Sequence, residues 1–126
     1  MLAFISCGVL GWGLEIFWTG LHSLFKGDTR LTGHSSLWMF PIYGLAAAIG
    51  PAYEILKPLN FVFRGLIYMA CIFAVEYLTG TLLRHRNLCP WDYSDAALNV
   101  NGLIRLDYAP IWFAVGLLFE WMLRSL

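Results

Sequence analysis

GWGLEIFWTG, Gly11–Gly20, puts a carboxylate inside a stretch suited to oil. Apolar residues run from Glu15 back to Leu2 and forward to Phe25. That length satisfies the about 20 mostly apolar residues that a helix needs to cross a bilayer. An acid at the centre of such a helix costs on the order of 2.5–3.5 kcal/mol to insert. Glu15 therefore has to meet something polar within the membrane.

Three further stretches are built alike. Working outward from 2–25, spanning helices are predicted over 37–56, 61–83 and 108–124. The whole chain fits them: of 126 residues, 60% are hydrophobic and only 13% charged, with a mean hydropathy of +0.67. Soluble domains carry about 25% charge. Period-2 alternation is absent, and only helices and closed barrels satisfy their backbone inside a bilayer. The fold expected is an all-α membrane protein, one four-helix transmembrane domain over 1–126. Pro41 and Pro110 fall near helix starts, where a missing N–H is harmless, and Pro51 should kink the second span. MLAFISCGVL has no basic n-region, so it reads as a permanent helix rather than a removed signal.

Eight basic residues balance eight acidic ones, which predicts no nucleic-acid partner. The partners expected are the bilayer, a second copy of the chain in a homodimer, and an accessory subunit. Lys26, Arg30, Arg84, Arg86 and Arg105 fall in or beside the connections 26–36 and 84–107. Lys57, Arg64 and Arg124 lie on the other side. Five against three favours the first side as cytoplasmic. Cys7 and Cys71 sit in apolar runs and Cys89 in a polar loop, without C-x-x-C spacing. His22, His34 and His85 match no ligand pattern, so neither a metal nor a cofactor is expected.

The spans also resemble one another in pairs. Glu15-Ile-Phe-Trp-Thr-Gly-Leu in the first matches Glu76-Tyr-Leu-Thr-Gly-Thr-Leu in the third, and Pro41-Ile-Tyr in the second matches Pro110-Ile-Trp in the fourth. Two helix pairs of like order would be parallel repeats. Chance likeness among apolar helices is the competing explanation.

Each span holds one glutamate. Glu54 lies three residues before Lys57, an interfacial i,i+3 pair. Glu15 lies about 15 Å from the Phe25 end of its helix, Glu76 about 11 Å from Leu83, and Glu120 about 15–18 Å from the same side. Those three are expected to share a layer. Gly8, Gly11, Glu15, Thr19 and His22 form one face of the first helix, and Gly65, Tyr68, Ile72, Glu76 and Thr79 one face of the third. Carboxylates close together in low dielectric share a proton or hold a cation, which suits proton relay, ion coordination or acid/base work. Alternatively, each glutamate merely ties helices together, with Arg124 one turn beyond Glu120 as its natural partner.

The connection 84–107 is the longest and most polar. Its Asn101-Gly102 is a turn signal. Asp92 stands between Trp91 and Tyr93, and the segment is expected to fold back as a lid whose polar groups face a wet cavity. Trp38, Trp112 and Trp121 read as interfacial belt residues.

Cys-Pro-Trp-Asp-Tyr-Ser at 89–94, Asn99 and Gly102-Leu-Ile resemble the signature of the ABC-transporter type IV (CmpB-like) family, most closely its transmembrane protein 229 branch. Gly11-Trp12, Glu15, Pro41-Ile-Tyr-Gly44, Glu76 and Thr79-Gly80 agree with it. Thr32-Gly33-His34 departs from the Asn-Arg-Gly of the bacterial pattern. The resemblance implies a multi-pass, permease-like membrane protein. Binding candidates carried over are Trp12, Glu15, Tyr43, Glu76, Trp91, Asp92, Tyr93 and Asn99, with Glu120 added from its depth. Gly11, Gly44, Thr79, Gly80, Ser94 and Gly102 are the structural motif positions. No G-x-x-x-x-G-K-[ST] accompanies them, so the chain carries no ATPase of its own. Three functions stay open: a transport or permeation unit, a membrane scaffold, and an intramembrane lipid-modifying enzyme. The last lacks any G-x-S-x-G or H-E-x-x-H motif, which weighs against enzymatic activity.

Overall fold

The computed structural model describes residues 1–126. Its helices are α1 (Leu2–Phe25), α2 (Met39–Gly44), α3 (Ile49–Leu56), α4 (Phe61–His85) and α5 (Ala109–Arg124), with strands β1 (Asn99–Val100) and β2 (Ile104–Arg105) between α4 and α5. Four segments are long and apolar enough to cross a membrane: Leu2–Phe25, Met39–Leu56, Phe61–His85 and Leu106–Arg124. The burial pattern is that of a lipid-facing chain. Large apolar side chains such as Leu2, Phe17, Leu78, Leu82 and Trp121 are exposed, whereas Glu76 and Glu120 are buried at 8% and 4% exposure. In water that arrangement would be costly on both counts.

The second span is broken, as Pro51 requires. The break is a 3-10 segment, Leu45–Ala48, between α2 and α3. Proline cannot bond the carbonyl four residues back and its ring crowds that group. That carbonyl belongs to Ala47, inside the segment. α4 is better capped, since the Asn60 side chain accepts from Val62 N and Phe63 N. Both long helices end in the same way. Gly27 (φ 92) closes α1 and Asn87 (φ 58) closes α4, with Asp28 N donating to Ser23 O and Leu88 N to Leu83 O. These are the 6→1 bonds of a left-handed helix stop.

The chain forms two compact units, Met1–Ala47 and Ala48–Leu126. In the first, α1 packs on α2 through glycines. A Cβ on Gly8 would come within 2.7 Å of the Phe40 ring, one on Gly44 would strike Phe4, and one on Gly11 would overlap Tyr43. In the second, α5 packs on α4 and α3, with Phe113 seated on Gly65 and Tyr68 on Gly116.

The units repeat one another internally. Phe4 meets Gly44 in the first; Gly65 meets Phe113 in the second. Ser23 Oγ donates to Thr32 O at 2.6 Å; Arg84 Nη1 donates to Asn101 O at 2.6 Å. In both cases the first-helix positions lie 61 apart and the later positions 69 apart. The same spacings separate Glu15 from Glu76 and Pro41 from Pro110. Unrelated apolar helices would not reproduce matched contacts at matched spacings. The second connection is the longer, and it holds the Cys89–Ser94 motif.

Candidate functional site

The connection 26–36 is more than a surface loop. After a reversal at Leu31 (φ 58), the chain runs back along α1 as an extended strand without a strand partner. α1 satisfies its backbone with side chains on one helix face, Ser23, Thr19 and Trp12, four and seven residues apart. Ser23 donates to Thr32 O. Thr19 Oγ1 bonds His34 at both O (3.1 Å) and N (2.8 Å). Trp12 Nε1 donates to Ser36 O at 3.0 Å. Glycines permit the approach: a Cβ on Gly20 would lie 2.9 Å from Leu31 O, and one on Gly33 would overlap Ile16 O. From Ser23 to Trp12 the segment descends about 16 Å along the helix.

This descent delivers Ser35 to Glu15. Ser35 Oγ donates to Glu15 Oε1 at 3.2 Å, and Tyr43 Oη of α2 donates to Oε2 at 2.8 Å. The Tyr43 ring lies against Gly11, and Trp12 packs on Phe40 with ring centres 4.8 Å apart and planes tilted by 58°. Glu15, Tyr43 and Gly11 thus fall together within the first unit, with Trp12 on the neighbouring Phe40 and Gly44 against Phe4. Ser35 was not anticipated; a serine in a polar connection carries no signal of membrane depth.

The second unit's connection is also folded back on its helix. β1 and β2 pair antiparallel, Asn99 with Arg105 and Val100 with Ile104, around the expected turn. Asn101 (φ 54) and Gly102 (φ 69) are both left-handed, the signature of a tight hairpin turn. Trp91 and Leu103 pack on Gly80, and Asn101 Nδ2 donates to Tyr77 Oη at 2.8 Å.

The motif residues build this cap. Cys89 Sγ donates to Trp91 O and Trp91 Nε1 to Leu103 O at 2.9 Å. Asp92 Oδ1 accepts from Ser94 N and Oγ, so its carboxyl is held below the ordinary range, chiefly by the Ser94 hydroxyl. Asn99 Oδ1 accepts from Gly102 N while its Nδ2 donates to Ala96 O and Ser94 O. Trp91, Asp92, Ser94, Asn99 and Gly102 are therefore tied to their own loop. The Tyr93 ring lies 5.7 Å from Tyr108 and 5.9 Å from the Arg105 guanidinium. Arg105 also chelates Asp107 through Nε and Nη2, which raises its pKa. Thr79 turns its hydroxyl onto Val75 O at 2.7 Å, along its own helix.

Glu76 is buried within α4. Glu120 does not join its layer. It receives Arg64 Nε at 2.9 Å and Nη2 at 3.1 Å, plus Tyr68 Oη at 2.6 Å. Arg64 and Tyr68 precede Glu76 on α4 by roughly 18 and 12 Å. The expected shared depth fails because α4 runs on past the start of α5: its last turns, at Tyr77 and Gly80, are covered by the folded-back connection instead. Arg124, the partner expected from sequence, instead lies over Tyr53 at 4.5 Å. Trp38 and Trp121 are exposed, as belt residues should be. Trp112 corrects that reading: its Nε1 is buried and has no hydrogen-bond partner. The repeat was the available signal, since Trp112 follows Pro110 as Tyr43 follows Pro41.

A multi-pass chain with paired helix units and intramembrane acids has the features of an integral membrane protein of transporter type. No solved structure matches it. A family model described as "Putative ABC-transporter type IV" matches residues 2–126. The chain belongs to that family.

Proposed function

We propose that the protein is a small permease-like unit in which Glu15 and Glu76 are the polar groups met by a permeating proton or small cation. One observation carries the reading. A non-helical segment, Leu31–Ser36, descends along α1 and presents Ser35 to a mid-span carboxylate. Irregular backbone at membrane depth is tolerated only where protein buries it or it lines a water-filled cavity. The second unit contributes its own buried carboxylate, Glu76. Glu120, neutralised by the Arg64 guanidinium, and Asp92, closed within its own loop, take structural roles. The assembly is a homodimer, because one chain of four spans offers little room for a pathway and a two-fold interface can frame one. The connections 26–36 and 84–107 face the cytoplasm, following their basic residues.

The test is flux into proteoliposomes carrying a pH-sensitive or cation-sensitive dye, driven by an imposed gradient. The parent protein should pass protons or an alkali cation, and Glu15→Gln and Glu76→Gln should each cut the rate at least about tenfold, the weight of one lost general acid–base or charge contact. Absence of flux for every ion tested, or equal flux in both variants, refutes the proposal.

A further inference from the structure

The second unit holds an indole donor that the protein does not use. Trp112 Nε1 is sealed from solvent without a hydrogen-bond partner. An indole N–H can only donate, and buried polar groups in native structures have partners. Tyr108 packs edge-on against the ring, 6.3 Å away at 78°, so the indole is held rather than loose.

The repeat says what the donor faces. The spacings that relate Phe4–Gly44 to Gly65–Phe113 carry Glu15 onto Glu76 and Tyr43 onto Trp112. Tyr43 donates directly to Glu15. By the same spacings Trp112 holds in the second unit the place that Tyr43 holds in the first, with a fixed N–H in place of a phenol.

We propose that Glu76 and Trp112 form a half-site for a hydroxyl group, a water or a small alcohol, that accepts from Trp112 Nε1 and donates to the Glu76 carboxylate. A hydroxyl fits because its oxygen both accepts and donates. A bare alkali cation does not, since an N–H dipole presents its positive end to it. As an element of the pathway the half-site rests on the permease reading, and it then narrows the permeant to a proton passed through water. Occupancy itself requires no flux.

The test is the indole resonance of Trp112 in protein labelled with nitrogen-15 and embedded in lipid nanodiscs. Trp112→Phe assigns the peak by its loss, and Trp112→Tyr, which restores the donor type found at Tyr43, serves if the first variant does not fold. The expected result is magnetisation transfer from water to the indole proton, or a saturable shift on adding glycerol, and displacement of the peak by Glu76→Gln. Water transfer without a glycerol response assigns water; the glycerol shift assigns an alcohol. An indole blind to both water and glycerol, or one unmoved by Glu76→Gln, overturns the inference. Lost flux with a wet Trp112 sinks the permease reading alone, and flux that survives with a dry Trp112 sinks this inference alone.

Discussion

Glu120→Gln removes the charge that Arg64 needs. Both side chains are shielded, at 14% and 5% exposure, so solvent screening offers little relief. The carboxylate collects three hydrogen bonds, two from Arg64 and one from Tyr68. Interhelical polar bonds in membrane proteins are worth roughly 0.6–1.7 kcal/mol each, which gives about 2–5 kcal/mol for the set. Breaking a buried ion pair from one side costs about 3–5 kcal/mol in water-soluble proteins, so the two scales agree. The unfolded chain in lipid lets Arg64 reach the headgroups, only four residues into α4, which puts the expected loss toward the lower end. At about 1.4 kcal/mol per decade, the ratio of folded to unfolded protein should fall roughly thirtyfold or more. Unfolding in mixed micelles, followed by helical circular dichroism as the share of sodium dodecyl sulfate rises, measures it. The partner variant Arg64→Met and the double variant close a cycle. A coupling above about 1 kcal/mol is expected for residues in contact. Additive losses within about 0.5 kcal/mol, or a parent-like Glu120→Gln, would show that the pair is incidental.

Two further outcomes follow from the same structure. Gly11→Ala should cost about 1–3 kcal/mol by overpacking, because its Cβ overlaps the Tyr43 side chain, whereas Gly13→Ala meets nothing within 4 Å and should gain up to about 1 kcal/mol of helix propensity; equal effects in the same unfolding assay would contradict the packing. Asp92 is held below its ordinary value of 3.8 by Ser94, with Arg84 adding a smaller pull. A depressed carboxyl stabilises the fold above that value and loses its contribution as pH falls through the folded pKa. Amide exchange at Tyr93, Ser94 and Gly102 should therefore quicken only below pH 3.8 in the parent, and the step should vanish in Asp92→Asn. A step that persists in the variant would assign the titration elsewhere.

The spans, the Pro51 break, the Asn101-Gly102 turn and the likeness of Glu15 to Glu76 were legible because each depends on local chemistry. Hydropathy, the missing proline N–H and left-handed backbone are properties of a residue and its immediate neighbours. Partners across the chain were not legible. Glu120 lies one turn from Arg124 yet binds Arg64, and the polar connection 26–36 looks solvated yet runs along α1 beside Glu15. The Cys89–Ser94 motif looked like a binding lid, and its hydrogen bonds close mostly within its own loop. In a bilayer the sequence states which groups are too polar to leave bare. Which distant group satisfies them is decided when the helices pack, because an arginine or serine side chain reaches only a few ångströms and backbone placement sets what lies in range.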